Sequence, residues 1–153
     1  MSKLKYGAFF MLTVISVLFF SCAKTQTPAN NATVVQANST PVNVFVLLSS
    51  HPNLAAPGGV DMIANAGVKG ILIYRQTTTQ FYAYERSCTY DGTTVANAMV
   101  SAGAGSTTCK DNICGSIFTI FDGSGGVAQG PANYPLKQYA ISFDGTNSLH
   151  ITN

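Results

Sequence analysis

Gly70-Ile71-Leu72-Ile73-Tyr74-Arg75 and Phe81-Tyr82-Ala83-Tyr84-Glu85-Arg86-Ser87-Cys88, joined by a turn over residues 77–80, form the stretch on which the fold depends. Each run is rich in β-branched and aromatic residues, is too short for a stable helix, and is bounded by Gly or by a Thr-rich turn, which reads as strand, turn, strand. In the second run Phe81, Ala83 and Glu85 alternate with Tyr82, Tyr84 and Arg86.

The same pattern extends outward in both directions. Upstream, Val42, Val44, Val46 and Leu48 alternate with Asn43, Phe45 and Leu47, and the run closes in Ser-Ser-His-Pro. A loop over 53–59 carries Pro57-Gly58-Gly59 as its turn signal, a short strand is expected over 60–64, and a bend over 67–70. Downstream, strands are expected over 116–121, 138–143 and 149–152, and residues 95–100 are compatible with one turn or a strand. No window has convincing helical periodicity. Seven short strands separated by Gly and Asn turns predict an all-β sandwich or barrel.

The first forty residues carry an address. Lys3 and Lys5 precede an apolar run over 6–20, long enough for the hydrophobic region of a signal peptide but short for a bilayer-spanning helix of about 20 residues. Leu18-Phe19-Phe20-Ser21-Cys22 resembles a lipobox, in which the cysteine becomes the lipidated N-terminus, although Phe19 and Phe20 are bulkier than that pattern usually holds. The alternative is an ordinary secretory signal or an anchoring apolar helix. Residues 1–21 are thus read as a lipoprotein signal peptide and Cys22 as the lipid attachment site. Two or more acyl chains hold a protein stably on a membrane, and Ala23 after the cysteine resembles the pattern sent to the outer membrane. Residues 22–40, rich in Thr, Asn, Ala, Gln and Pro, cannot bury enough surface to offset their ordering entropy and are read as a flexible tether. The β domain is expected over 41–153, in a bacterial cell envelope.

Charge narrows the partners. From Cys22 onward six Lys and Arg balance six Asp and Glu; the +2 of the whole chain comes from Lys3 and Lys5. A neutral domain without a basic patch has no means of gathering phosphates, so nucleic acid is excluded as an expected partner. The membrane, through the lipid, and an envelope protein or small ligand remain.

The pieces around the deciding stretch resemble a Rieske [2Fe–2S] domain. The resemblance runs through Gly70 to Arg75, Phe81 to Cys88, Cys114-Gly115-Ser116-Ile117-Phe118, Gly123, Gly130-Pro131-Ala132 and Pro135-Leu136-Lys137-Gln138-Tyr139, and covers about residues 42–153. It implies stacked antiparallel sheets with a small loop-rich cluster-type subdomain over about 86–132. In that family one loop carries Cys-x-His, a second carries Cys-x-x-His-Gly-Ser, and a Gly-Pro-Ala loop shields the cluster. Two thiolates bind one iron and two imidazoles the other.

At the ligands this chain departs from the family. Cys88 matches the first Cys, but Tyr90 stands where His is expected. Cys114 stands at the second His, and strict spacing puts Asp111 at the second Cys; Cys109 takes that role only if the loop accommodates two extra residues. His51 and His150 are expected far from both loops. The resemblance therefore implies a degenerate site in which no cofactor is expected, with an atypical [2Fe–2S] site as the alternative. A disulfide is the simpler reading of the thiols in an oxidising compartment. Cys88 with Cys114 would clasp the loops, closing roughly 25 residues and contributing about 3 kcal/mol, while Cys109 with Cys114 is the local alternative. A zinc site would need a fourth ligand that is not evident nearby.

Other motifs carry less. Asp122-Gly123-Ser124-Gly125-Gly126 follows a strand without opening a helix and reads as a turn, not a phosphate loop. No Gly-x-Ser-x-Gly motif appears and the acidic residues are scattered, against a hydrolase. Tyr82, Tyr84, Tyr90 and Tyr134 are candidates for a binding patch. The leading expectation is a non-enzymatic envelope lipoprotein using a cluster-free fold as a binding or structural module. An electron-transfer protein and a thiol–disulfide protein are the alternatives.

Overall fold

A computed structural model describes residues 41–153 as an all-β structure of ten strands in two antiparallel sheets. The strands are β1 (Asn43–Leu47), β2 (Val60–Ile63), β3 (Ile71–Arg75), β4 (Phe81–Glu85), β5 (Val100–Ser101), β6 (Thr108–Asp111), β7 (Ile117–Thr119), β8 (Val127–Gln129), β9 (Gln138–Phe143) and β10 (Ser148–Thr152). The larger sheet runs β1-β10-β9-β4-β3-β2 and the smaller β5-β6-β7-β8. The segments expected to be a signal peptide and a tether, with Cys22, lie outside the described residues.

The deciding stretch becomes the hairpin β3–β4, with Ile71 opposite Glu85 and Arg75 opposite Phe81. Successive side chains of a strand point to opposite faces, and here both faces are covered. Ile71, Ile73, Phe81 and Ala83 pack with Val42, Val46, Leu54, Tyr139, Leu149 and Ile151 in one core. Leu72, Tyr74 and Tyr84 pack on the other side with Val100, Cys109, Phe118, Ile120 and Leu136. Double-sided burial is why these runs read as nearly continuous apolar sequence rather than clean alternation. The Tyr84 hydroxyl crosses to the smaller sheet and donates to the Ile120 carbonyl at 2.9 Å.

All seven expected strands are present within a residue or two of their expected ends, and three more accompany them. Strands β5, β6 and β8 are two to four residues long. In β6 the buried positions are Cys109 and Asp111, so a real alternation is hidden behind a side chain that usually faces water. Residues 95–100 hold a turn at 96–97 and a bridge at Met99, and the strand begins only at Val100. The larger sheet passes into the smaller one at the end of β4, where Ser87 bridges Met99 and Val100 N–H donates to the Arg86 carbonyl at 2.7 Å. Every loop that reaches the candidate site leaves from this junction or from the smaller sheet.

Candidate metal centre

Three connections meet beside the smaller sheet. The first, after β4, begins with Cys88, which is buried. The backbone N–H groups of Tyr90 and Asp91 hydrogen-bond to its sulfur. The chain then turns back tightly, with Gly92 N–H donating to the Cys88 carbonyl at 2.9 Å. A Cβ on Gly92 would lie 2.3 Å from Ser87 Oγ and 2.4 Å from the Cys88 carbonyl oxygen, so only glycine permits this turn.

The second connection joins β6 to β7. Asp111, fully buried, accepts N–H bonds from Ile113 (2.6 Å) and Cys114 (3.1 Å) on Oδ1, an Asx-type turn that fixes the position of Cys114. Gly115 completes it at φ +80°, in the left-handed region that favours glycine. The third connection supplies a lid. Its Gly130–Pro131 peptide is cis, and Ala132 N–H donates to Ser116 Oγ at 2.9 Å. Thr89 Oγ1 donates to the Tyr134 carbonyl at 2.7 Å, tying this lid to the first loop.

At the meeting point the Sγ atoms of Cys88 and Cys114 are 3.5 Å apart. One ligand atom each from Cys88, Asp91, Asp111 and Cys114 all lie within 4.8 Å of one another. Oδ1 of Asp91 and Oδ2 of Asp111 are buried without a hydrogen-bond partner, which only Ser87 Oγ shares among the described residues. Cys114 Sγ receives Ser116 N–H at 3.4 Å and lies 3.0 Å from Ser116 Oγ. Ser116 Oγ accepts from both the Ala132 N–H and the Cys114 thiol, one on each lone pair.

The electrostatics fit buried donors without a cation. Burial pushes the Cys88 thiol well above its ordinary range, and the hydrogen bond with Cys114 adds to that, although the N–H groups of Tyr90 and Asp91 pull the other way. The Lys69 ammonium reaches in from the β2–β3 connection and donates to the carbonyls of Val95 (2.5 Å) and Ala98 (3.2 Å). Burial lowers its pKa, against the attraction of Asp91, Asp111 and Cys88.

Of the expected site residues, Cys88, Asp111 and Cys114 come together. Cys109 does not join them: it sits on β6 opposite Phe118, buried in the core, with its thiol pushed up to about 12 by desolvation. Tyr90 is exposed and outside the group; its neighbour Asp91 supplies the ligand atom. The expected disulfide is not formed, since Cys88, Cys109 and Cys114 are all free thiols. The tyrosine patch fails at Tyr84, which is fully buried. His51 is bonded to Asp61 at 2.9 Å, and His150 stacks on Phe45 and bonds Asn43 at 2.7 Å. Neither belongs to the group.

No protein-family model matches this chain, and no curated protein matches it. Solved structures similar to it include the following two. The ferredoxin of carbazole 1,9a-dioxygenase from Nocardioides aromaticivorans IC177 is 20% identical, with 75% of this chain and 100% of that one covered and a TM-score of 0.48. A complex of reduced oxygenase and oxidized ferredoxin in carbazole 1,9a-dioxygenase is 19% identical, with 71% and 93% covered and a TM-score of 0.47. What stands on the geometry alone is a compact group of two thiols and two carboxylates, with donor atoms left open.

Proposed function

We propose that this chain is an exported, lipid-anchored envelope protein whose domain is built on the Rieske plan but does not carry a Rieske [2Fe–2S] cluster, and that it serves as a non-enzymatic binding or structural module. The Rieske plan is supported by the two facing loops, at Cys88 and at Asp111 to Cys114, and by the Gly130-Pro131-Ala132 lid bonded to Ser116. The lipid anchor is supported by the leader and the lipobox-like segment ending in Cys22.

The single observation that carries the cluster-free reading is the donor set. A Rieske cluster needs two thiolates for one iron and two imidazoles for the other. Here the four Rieske positions hold Cys88, Tyr90, Asp111 and Cys114, with no imidazole; the group that does come together, with Asp91 in place of Tyr90, has two thiols and two carboxylates within 4.8 Å, and both histidines are engaged elsewhere. A two-iron cluster spreads its ligand pairs along the iron–iron axis, so donors this close fit it poorly. The residues present therefore do not fit the group that the fold plan implies.

Iron and acid-labile sulfide assays on the full chain, purified in detergent without oxygen from iron-supplied cells, test this reading. Neither is expected in stoichiometric amount, and two irons with two sulfides per chain would overturn it. On the same preparation, Cys22→Ser is expected to lose labelled fatty acid and leave the membrane fraction.

A further inference from the structure

The structure points to a new site: we propose that Cys88, Asp91, Asp111 and Cys114 bind one divalent metal ion of the zinc class, which closes the two loops around it. The inference rests on the cluster-free reading of this same place and names what occupies it. The sequence spacing supports it. Cys88-Thr89-Tyr90-Asp91 and Asp111-Asn112-Ile113-Cys114 are mirrored knuckles, Cys-x-x-Asp and Asp-x-x-Cys, each placing two donors at the tip of a tight turn. Structural zinc sites use the same device with paired Cys or His, and zinc accepts Asp oxygen as well as Cys sulfur.

The geometry agrees with a single ion. A tetrahedral zinc with sulfur at about 2.3 Å and oxygen at about 2.0–2.2 Å separates its donors by about 3.3–3.8 Å. The two sulfurs here are 3.5 Å apart, and all four donors fall within 4.8 Å, so one-ion packing needs a contraction of about 1.5 Å at most. The separation also leaves the pair well short of the about 2.05 Å of a disulfide.

An independent observation points to a ligand. Asp111 is completely buried, and its Oδ2 has no partner although Oδ1 has two. A buried acceptor without a partner costs about 1–3 kcal/mol, and a bound cation removes that cost. The outer shell is also in place. Tyr90 and Asp91 N–H groups face the Cys88 sulfur, and Ser116 supports the Cys114 sulfur; such contacts orient metal ligands and tune their donor strength. Four protein donors leave no open position, which assigns the ion a structural role. Binding expels the two thiol protons to solvent, and no electron is transferred.

The test uses the full chain in detergent, reduced and stripped by chelator, then titrated with Zn²⁺ against a chromophoric chelator and in parallel with Co²⁺. One ion per chain is expected, with sulfur-to-cobalt charge transfer in the near ultraviolet and a higher melting temperature on adding zinc. Asp91→Asn, at a partly exposed position, and Cys114→Ser are each expected to weaken binding by at least the about 10–100-fold that loss of an outer-shell partner costs. Cys109→Ala is expected to bind like the parent. No stoichiometric uptake by the reduced chain, or unchanged affinity in both ligand variants, would overturn the site. A Cys88–Cys114 disulfide in the isolated protein that resists mild reductant would overturn it as well. The two readings fail separately: iron with sulfide defeats the cluster-free reading, whereas an iron-free protein that takes up no zinc defeats only this inference.

Discussion

Two buried carboxylates, each ending a strand that leads into one of the loops of the site, are treated in opposite ways. Glu85, at the end of β4 in the larger sheet, is saturated: Oε1 accepts Lys69 N–H (3.0 Å) and Ser87 N–H (2.8 Å), and Oε2 accepts Val68 N–H (2.7 Å) and the Tyr139 hydroxyl (2.7 Å). Asp111, at the end of β6 in the smaller sheet, is equally buried, yet its Oδ2 has no partner. A saturated buried acid is a structural joint, here pinning the 67–69 bend to β4 and β9. A half-satisfied one, beside two thiols and another carboxylate, keeps an acceptor suited to a cation.

The comparison breaks most visibly in stability. Glu85→Ala orphans three backbone N–H groups and a phenol in the core and is expected to cost about 3–5 kcal/mol in urea unfolding. Asp111→Asn keeps the acceptor for Ile113 and Cys114 and exchanges the unpartnered oxygen for an NH2 that faces sulfur and the Asp91 carboxylate, so in the ion-free protein it is expected to change stability by less than about 1 kcal/mol. Equal losses at the two positions would mean that Asp111 is a structural joint too, and the contrast would collapse. A smaller change sharpens the same contrast. Tyr139→Phe removes one of the four donors on Glu85 and is expected to cost about 1–2 kcal/mol, and adding zinc is expected to leave that loss unchanged.

The two regions were also unequally legible. The β3–β4 hairpin announced itself because Ile, Leu, Tyr and Phe fill both faces, and a strand buried on both sides leaves little to misread. The smaller sheet hid because its strands are short and one of its buried positions is an aspartate. At the site, spacing found Cys88, Asp111 and Cys114, but analogy fixed attention on Tyr90, the position of a lost imidazole. Asp91 was missed, although the Cys-x-x-Asp spacing and Gly92 behind it were in the sequence. Cys109 was a plausible ligand by residue type and was ruled out only by strand alternation, which turns it into the core opposite Phe118. The fold followed from side-chain pattern; the site needed to know which way each turn closes.

A third carboxylate, Asp144, separates the turn from the site. Asp144, between β9 and β10, accepts N–H bonds from Thr146 (2.8 Å), Asn147 (2.9 Å) and Ser148 (3.0 Å) on Oδ1, much as Asp111 does from Ile113 and Cys114, but in solvent. The N–H groups of Ser148 and Thr146 hold its carboxyl down at about 2. A carboxyl lowered on folding adds stability that is complete above its unfolded value of about 3.9. That contribution is lost as pH falls through about 2. Asp144→Asn is therefore expected to lower the urea midpoint slightly at pH 6, by less than either substitution at the Glu85 joint, and the gap to the parent is expected to close as pH drops from about 4 to about 2. Zinc is expected to move neither curve relative to the other, because this turn makes the same backbone contacts with no thiol or second carboxylate in front of it. If the gap instead persisted unchanged at pH 2, the charge on Asp144 would contribute nothing, and the hairpin turn would owe its stability to geometry alone.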